Sequence, residues 1–151
     1  MKRAVNTLAV FAFSALAVQC AYGRSISLDL SGGRPAAAKS IRGASLPVGT
    51  PIRSSILKAG SADVGDVAVG DILSVRLFDD LDVSLTLARK MPRSSAGCDA
   101  FIAELSGGDL KNAVVLRTGS GLTMDVQDSR RKRVYKVLST PTEVKVQELV
   151  A

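Results

Sequence analysis

The chain contains no histidine and no tryptophan. Without histidine it lacks the commonest general base and metal ligand, and with it Ser-His-Asp triads, Cys-His pairs and the HExxH zinc site. Aromatic residues are four Phe and two Tyr in all, part of them close to the N-terminus. That is too few for the stacking surfaces that interleave with basic residues in a nucleic-acid binder, so nucleic acid is not expected as a partner. Cysteine occurs only at Cys20 and Cys98. No apolar pattern of helical period follows the first two dozen residues, and no internal repeat is present.

The N-terminus does carry a pattern of its own. Met1-Lys2-Arg3 supplies positive charge ahead of an apolar run over residues 8–18, which is shorter than a bilayer-spanning helix requires. Ala21-Tyr22-Gly23 places small residues where a signal peptidase reads them. Residues 1–23 are therefore expected to be a signal peptide cut after Gly23, with Arg24 the first mature residue. The product would be secreted or periplasmic, meeting a membrane only through its leader. Cys20 raises the alternative of an acylated lipoprotein, against which stands Gln19, a large residue where a small one is usual. The remaining 128 residues of the 151 suit one domain burying about two thirds of its unfolded surface. Only Cys98 would survive the cut, so the mature core must hold without an intramolecular disulfide. Loss of Lys2 and Arg3 takes the basic count from 20 to 18 against 14 acids, a mild net charge of +4.

Beyond the leader the period is two. In the stretch 69–90, Leu73, Val75 and Leu77 alternate with Ser74 and Arg76, and Val83, Leu85 and Leu87 alternate with Ser84 and Thr86. Asp79-Asp80 between them marks a tight turn, because short carboxylates bond neighbouring N–H groups. The same alternation predicts strands over 100–105, 112–117, 122–127, 134–139 and 142–149, separated by turns rich in Gly and Asp. Seven short strands at close spacing argue an all-β fold, a small antiparallel sandwich or open barrel. Ahead of them, 25–30 (SISLDL) has strand alternation with no evident partner. Residues 24–45, rich in Gly, Ala and Ser, read as a flexible segment, and the folded domain is expected over 46–151, opening on extended or edge structure across 46–58.

Three groups carry polar chemistry. Cys98, in a loop beside Gly97, is a candidate ligand for a partner protein's zinc, since a thiolate can fill the open position of a catalytic zinc; an idle thiol or an intermolecular disulfide are the other readings. Arg130, Arg131, Lys132 and Arg133 form the densest charge run, either a solvated turn that guards a sheet edge or a contact with an acidic partner. A trypsin-like processing site is a further reading of that run. Asp79, Asp80 and Asp82 lack the oxygen spacing of a calcium loop and read as a turn.

The order GDILSVRLFDD, a variable strand, a Gly-containing loop, FIAELSGG, NAVVLRTGSGLTMDV and a late VYKV resembles the N-terminal prodomain-like region of bacterial secreted zinc metalloproteases. The resemblance covers residues 65–151 and rests on Gly70, Asp71, Leu77, Phe78, Asp79, Val114, Val115, Gly121 and Tyr135. The sequence departs from that pattern in carrying no HExxH and in stopping at Ala151, where a protease domain would begin. The resemblance implies a free-standing or truncated prodomain-like module that inhibits a secreted metalloprotease or assists its folding and is not itself a protease; with no catalytic constellation in the residues, neither enzymatic activity nor a cofactor is expected. An exported structural or adhesive protein-binding module is the alternative.

Overall fold

The computed structural model describes residues 23–36, 46–92, 98–105 and 113–151. The leader, the segment 37–45, most of the loop ahead of Cys98 and the expected turn at 107–109 lie outside the described residues. Among those described, 64% are strand and none is helical, so the all-β expectation holds. The strands are β1 (Ser25–Asp29), β2 (Arg34–Ala36), β3 (Pro51–Lys58), β4 (Ile72–Phe78), β5 (Leu81–Lys90), β6 (Asp99–Leu105), β7 (Ala113–Thr118), β8 (Gly121–Asp128), β9 (Arg133–Ser139) and β10 (Glu143–Val150). They form one sheet in the order β1-β4-β5-β6-β7-β8-β9-β10-β3-β2, curled into a half-barrel.

The seven strands expected from alternation are β4 to β10, a continuous antiparallel meander. Their alternation decides which side faces in. Leu73, Val75, Leu77, Val83, Leu85, Leu87, Phe101, Ala103, Val115, Met124, Val126, Tyr135, Val137, Val144 and Val146 are all buried on the concave side. Each large aliphatic or aromatic side chain there contributes about 1.5–3 kcal/mol of transfer free energy, and no disulfide is needed to explain the fold.

The strand alternation at 25–30 does form β1, and its partner is β4, with which it pairs in parallel; residues 34–36, expected to be flexible, instead form β2, antiparallel to β3. The physical reason is that Ile26 and Leu28 pack against the core and Leu30 is wholly buried. Nor does 46–58 form an edge: β3 is flanked by β10 and β2. The two edges of the sheet, β1 and β2, are joined by residues 30–33 alone. Five Cα steps span at most ~18 Å, so the two edges approach each other at that end, in keeping with the curled sheet.

A second crossing runs from β3 to β4 through residues 59–71. It passes over the concave side, where Ala62 is fully buried and its carbonyl accepts the Leu122 N–H at 2.8 Å. Gly121 permits that approach. Its φ is +117°, and a Cβ there would lie 2.9 Å from the Ala62 carbonyl oxygen.

Candidate binding surfaces

The half-barrel has two ends. At one lie Asp99 opposite Arg117, the turn between β7 and β8, and Ser139 opposite Val144; at the other lie Asp128 opposite Arg133, Val150 opposite Arg133, and the Asp79-Asp80 turn. Strands of seven or eight residues set these ends roughly 20–25 Å apart.

The Arg133 end is built around Glu148. In β10, Val144, Val146 and Glu148 all point to the concave side, so a carboxylate occupies the third inward position of an apolar row. Its charge is met by two guanidinium groups, Arg53 Nε at 2.6 Å and Arg133 Nε at 3.3 Å. Arg53 also reaches Asp80 at 2.6 Å and stacks over the Phe78 ring, 4.0 Å from its centroid. Burial disfavours the Arg53 cation, but bonds to Asp80 and Glu148 outweigh it and raise its pKa. The same Arg53 bond holds the Asp80 carboxyl below its usual range. Next in the network, Arg131 pairs with Asp128 at 3.7 Å and bonds the Tyr135 phenol. Burial raises the Tyr135 pKa more strongly than the Arg131 bond lowers it. Arg53, Arg131 and Arg133 are thus matched by Asp80, Asp128 and Glu148.

This changes the standing of the basic run. Arg131 and Arg133 turn onto acids of their own chain, and Arg130, Arg131 and Lys132 are all exposed. Lys132 occupies the left-handed region at φ 53°, and its carbonyl accepts the Ala151 N–H at 3.1 Å. The run is a tight turn fastening the end of β10, and only part of its charge faces outward. Asp80 and Asp82, considered for calcium, are instead engaged by Arg53 and Arg76 at 2.6 and 3.0 Å.

Cys98 belongs to the opposite end. It is half-buried immediately before β6, whose first residue Asp99 pairs with Lys90 at 3.0 Å and with Arg117 at 3.7 Å. Arg117 in turn holds Asp66 at 2.9 Å. The Asp66 carbonyl accepts from the Arg24 guanidinium at 2.7 Å, and that guanidinium pairs with buried Asp71 at 3.1 Å. A relay of charges therefore ties the start of β1 to the strand that follows Cys98. No surface patch of ordinary size holds both Cys98 and the basic run.

Between these ends runs the outer edge of β1. The Arg24 carbonyl accepts from Ile72 N–H at 2.8 Å and the Leu30 N–H donates to the Arg76 carbonyl at 2.7 Å. Backbone groups alternate sides along a strand, so even-numbered residues face β4 and Ser25, Ser27 and Asp29 direct their N–H and C=O groups away from the sheet. Among the described residues no strand pairs with that side. The other edge is different: β2 has three residues, and Pro35 at its centre has no N–H to offer. On the convex face, Leu138 and Val114 are 51% and 38% exposed, beside Leu116 and the Lys136–Asp125 pair.

Sequence reasoning did not single out Glu148 or the β1 edge, and it marked Asp71 only as part of a strand-start motif, not as a buried carboxylate. For Glu148 the signal was present, a charged residue in phase with Val144 and Val146. For the β1 edge it was not, because which strand ends a sheet depends on long-range pairing. No family model, curated protein or solved structure matches the chain.

Proposed function

We propose that this chain is an exported, non-catalytic binding module that acts on a secreted zinc metalloprotease as a prodomain does, inhibiting it or assisting its folding. The observation that carries the reading is the open edge of β1. It offers three residues' worth of outward backbone groups, and strand addition along such an edge supplies affinity through main-chain bonds. Cys98 lies at the same end as the start of β1, where a docked protease would find a thiol to place near its zinc. The basic run lies at the far end and has no part in this contact.

The test is a titration of the mature protein into the metalloprotease exported by the same cell, with peptide hydrolysis as readout. Inhibition at micromolar protein is expected. Ser27→Pro removes an outward N–H without touching the β4 ladder, so it should weaken inhibition at least tenfold while the thermal midpoint moves little. Activity unchanged by the wild-type protein at micromolar excess contradicts docking. Cys98→Ala separates the two contacts: unaltered inhibition eliminates the thiol and leaves strand addition standing.

The alternative, an exported structural or adhesive module, is favoured by the apolar convex surface at Val114 and Leu138. Under that reading Leu138→Glu abolishes binding to the partner surface, and Ser27→Pro does not.

A further inference from the structure

We infer that hydrolysis of the Gly23–Arg24 bond creates a charge pair that locks β1 into the sheet, with the new α-ammonium group of Arg24 held by the buried carboxylate of Asp71. The inference rests on the export reading, which places the cut there.

Asp71 is the most enclosed acid among the described residues, 3% exposed against 8% for Glu148, at the end of the 59–71 crossing. Its Oδ1 accepts the Arg24 backbone N–H at 3.0 Å; its Oδ2 accepts the Ala68 N–H at 2.9 Å and the Arg24 guanidinium at 3.1 Å. Burial raises the pKa of this carboxyl, and these bonds together outweigh it, so that it stays ionised. The guanidinium is 64% exposed and shares its charge with solvent. The backbone nitrogen is the donor that points into the enclosed site, and in the uncut chain it is a neutral amide.

Hydrolysis converts that nitrogen. Water adds across the peptide bond, its oxygen completing the Gly23 carboxylate, while the Arg24 nitrogen leaves with the bonding pair and is protonated to an ammonium. The atom 3.0 Å from Asp71 Oδ1 then carries a full positive charge, and a charge-assisted hydrogen bond is roughly twice as strong as a neutral one. The surroundings favour the exchange. Gly23 is threaded against the Gly70 backbone so closely that a Cβ on it would lie 1.6 Å from the Gly70 carbonyl oxygen. Departure of Gly23 relieves that contact. The other charges nearby are the Arg24 guanidinium and the Asp66–Arg117 pair; β5 contributes only the backbone of Leu87 at this point, through bonds to Gly70 and Asp71.

The consequence is that β1, the strand with the free edge, is held more firmly in the processed protein than in its precursor. The sign of the pH dependence follows. A raised ammonium pKa gives stability that is fully present below the unfolded value of ~7.7–8.0 and is lost as pH rises through the folded value.

The test uses protein recovered after export, with its first residue read by mass spectrometry. A chain beginning at Arg24 should show an α-amine titrating about one unit above ~7.7–8.0 by NMR. Its thermal midpoint should exceed that of the same chain acetylated on the α-amine below about pH 8 and converge with it near pH 10. Asp71→Asn should remove the difference. Gly23→Ala should lower the midpoint of the uncut precursor and leave the cut protein, which no longer contains residue 23, unchanged. An Arg24 α-amine that titrates at or below ~8.0, with equal midpoints for free and acetylated chains, overturns the lock while sparing the export reading. A mature chain beginning elsewhere overturns both. The NMR titration is made on the unsubstituted protein, so it decides the matter even if the Asp71 variant does not fold.

Discussion

Three residues hold more of the structure than their type suggests. Glu148 balances Arg53 and Arg133, and removing its charge leaves two guanidinium groups facing each other across a nearly closed site. Both arginines are about a third exposed, so solvent screens part of the loss. Glu148→Gln is expected to cost about 1–3 kcal/mol, read as a shift of the urea midpoint at constant slope. Gly121→Ala adds a Cβ against the Ala62 carbonyl at a φ that L-residues avoid, and is expected to cost about 2 kcal/mol or more. Asp71, whose folded pKa is lowered from 3.8, contributes stability that is present above its unfolded pKa and lost as pH falls through the folded one. An acid titration of thermal stability should therefore be shallower below about pH 4 in Asp71→Asn than in the wild type.

At the scale of elements, period-two alternation made β4 to β10 legible, because each buries one face and exposes the other. Leu73, Val75 and Leu77 announce β4 before any partner is known. The edge strands were not legible in the same way. β1 alternates equally well, but its place depends on a parallel pairing with β4 across more than forty residues, and β2 is three residues of Arg-Pro-Ala with no pattern at all. Composition pointed to a linker, whereas Leu30 shows why residues 24–36 are ordered. Its side chain is fully buried and its N–H continues the β1–β4 ladder. Leu30→Ala should cost about 2–4 kcal/mol, and it should raise amide exchange in β1 and β2 more than in β7 to β9.

The candidate site was legible only in part. Cys98 and the basic run were visible as residues, but their separation to opposite ends of the half-barrel is a property of register. Arg131 and Arg133 looked free in sequence because Asp128 and Glu148 reach them only once β8, β9 and β10 are paired.

For the whole molecule, the defining feature is that both sheet edges belong to the N-terminal segment while the middle is a local meander. β3 pairs with β10 across a separation of 95 residues at Arg53 and Glu148. Loop-closure entropy must be met before such pairing rewards it, so refolding from urea should take milliseconds to seconds rather than microseconds. The meander can assemble locally first, with β1, β2 and β3 docking afterwards.

The same arrangement leaves the outer side of β1 as the place where another chain can extend the sheet, and its occupancy by a protease is the central claim. Amide hydrogen exchange on residues 24–151, alone and with a secreted zinc metalloprotease, tests it most directly. The Ser27 and Asp29 amides should exchange freely in the isolated protein and become protected by at least tenfold in the complex, while Ile26, Leu28 and Leu30 are protected in both. Ser27 and Asp29 amides that exchange at the same rate with and without saturating protease would contradict it.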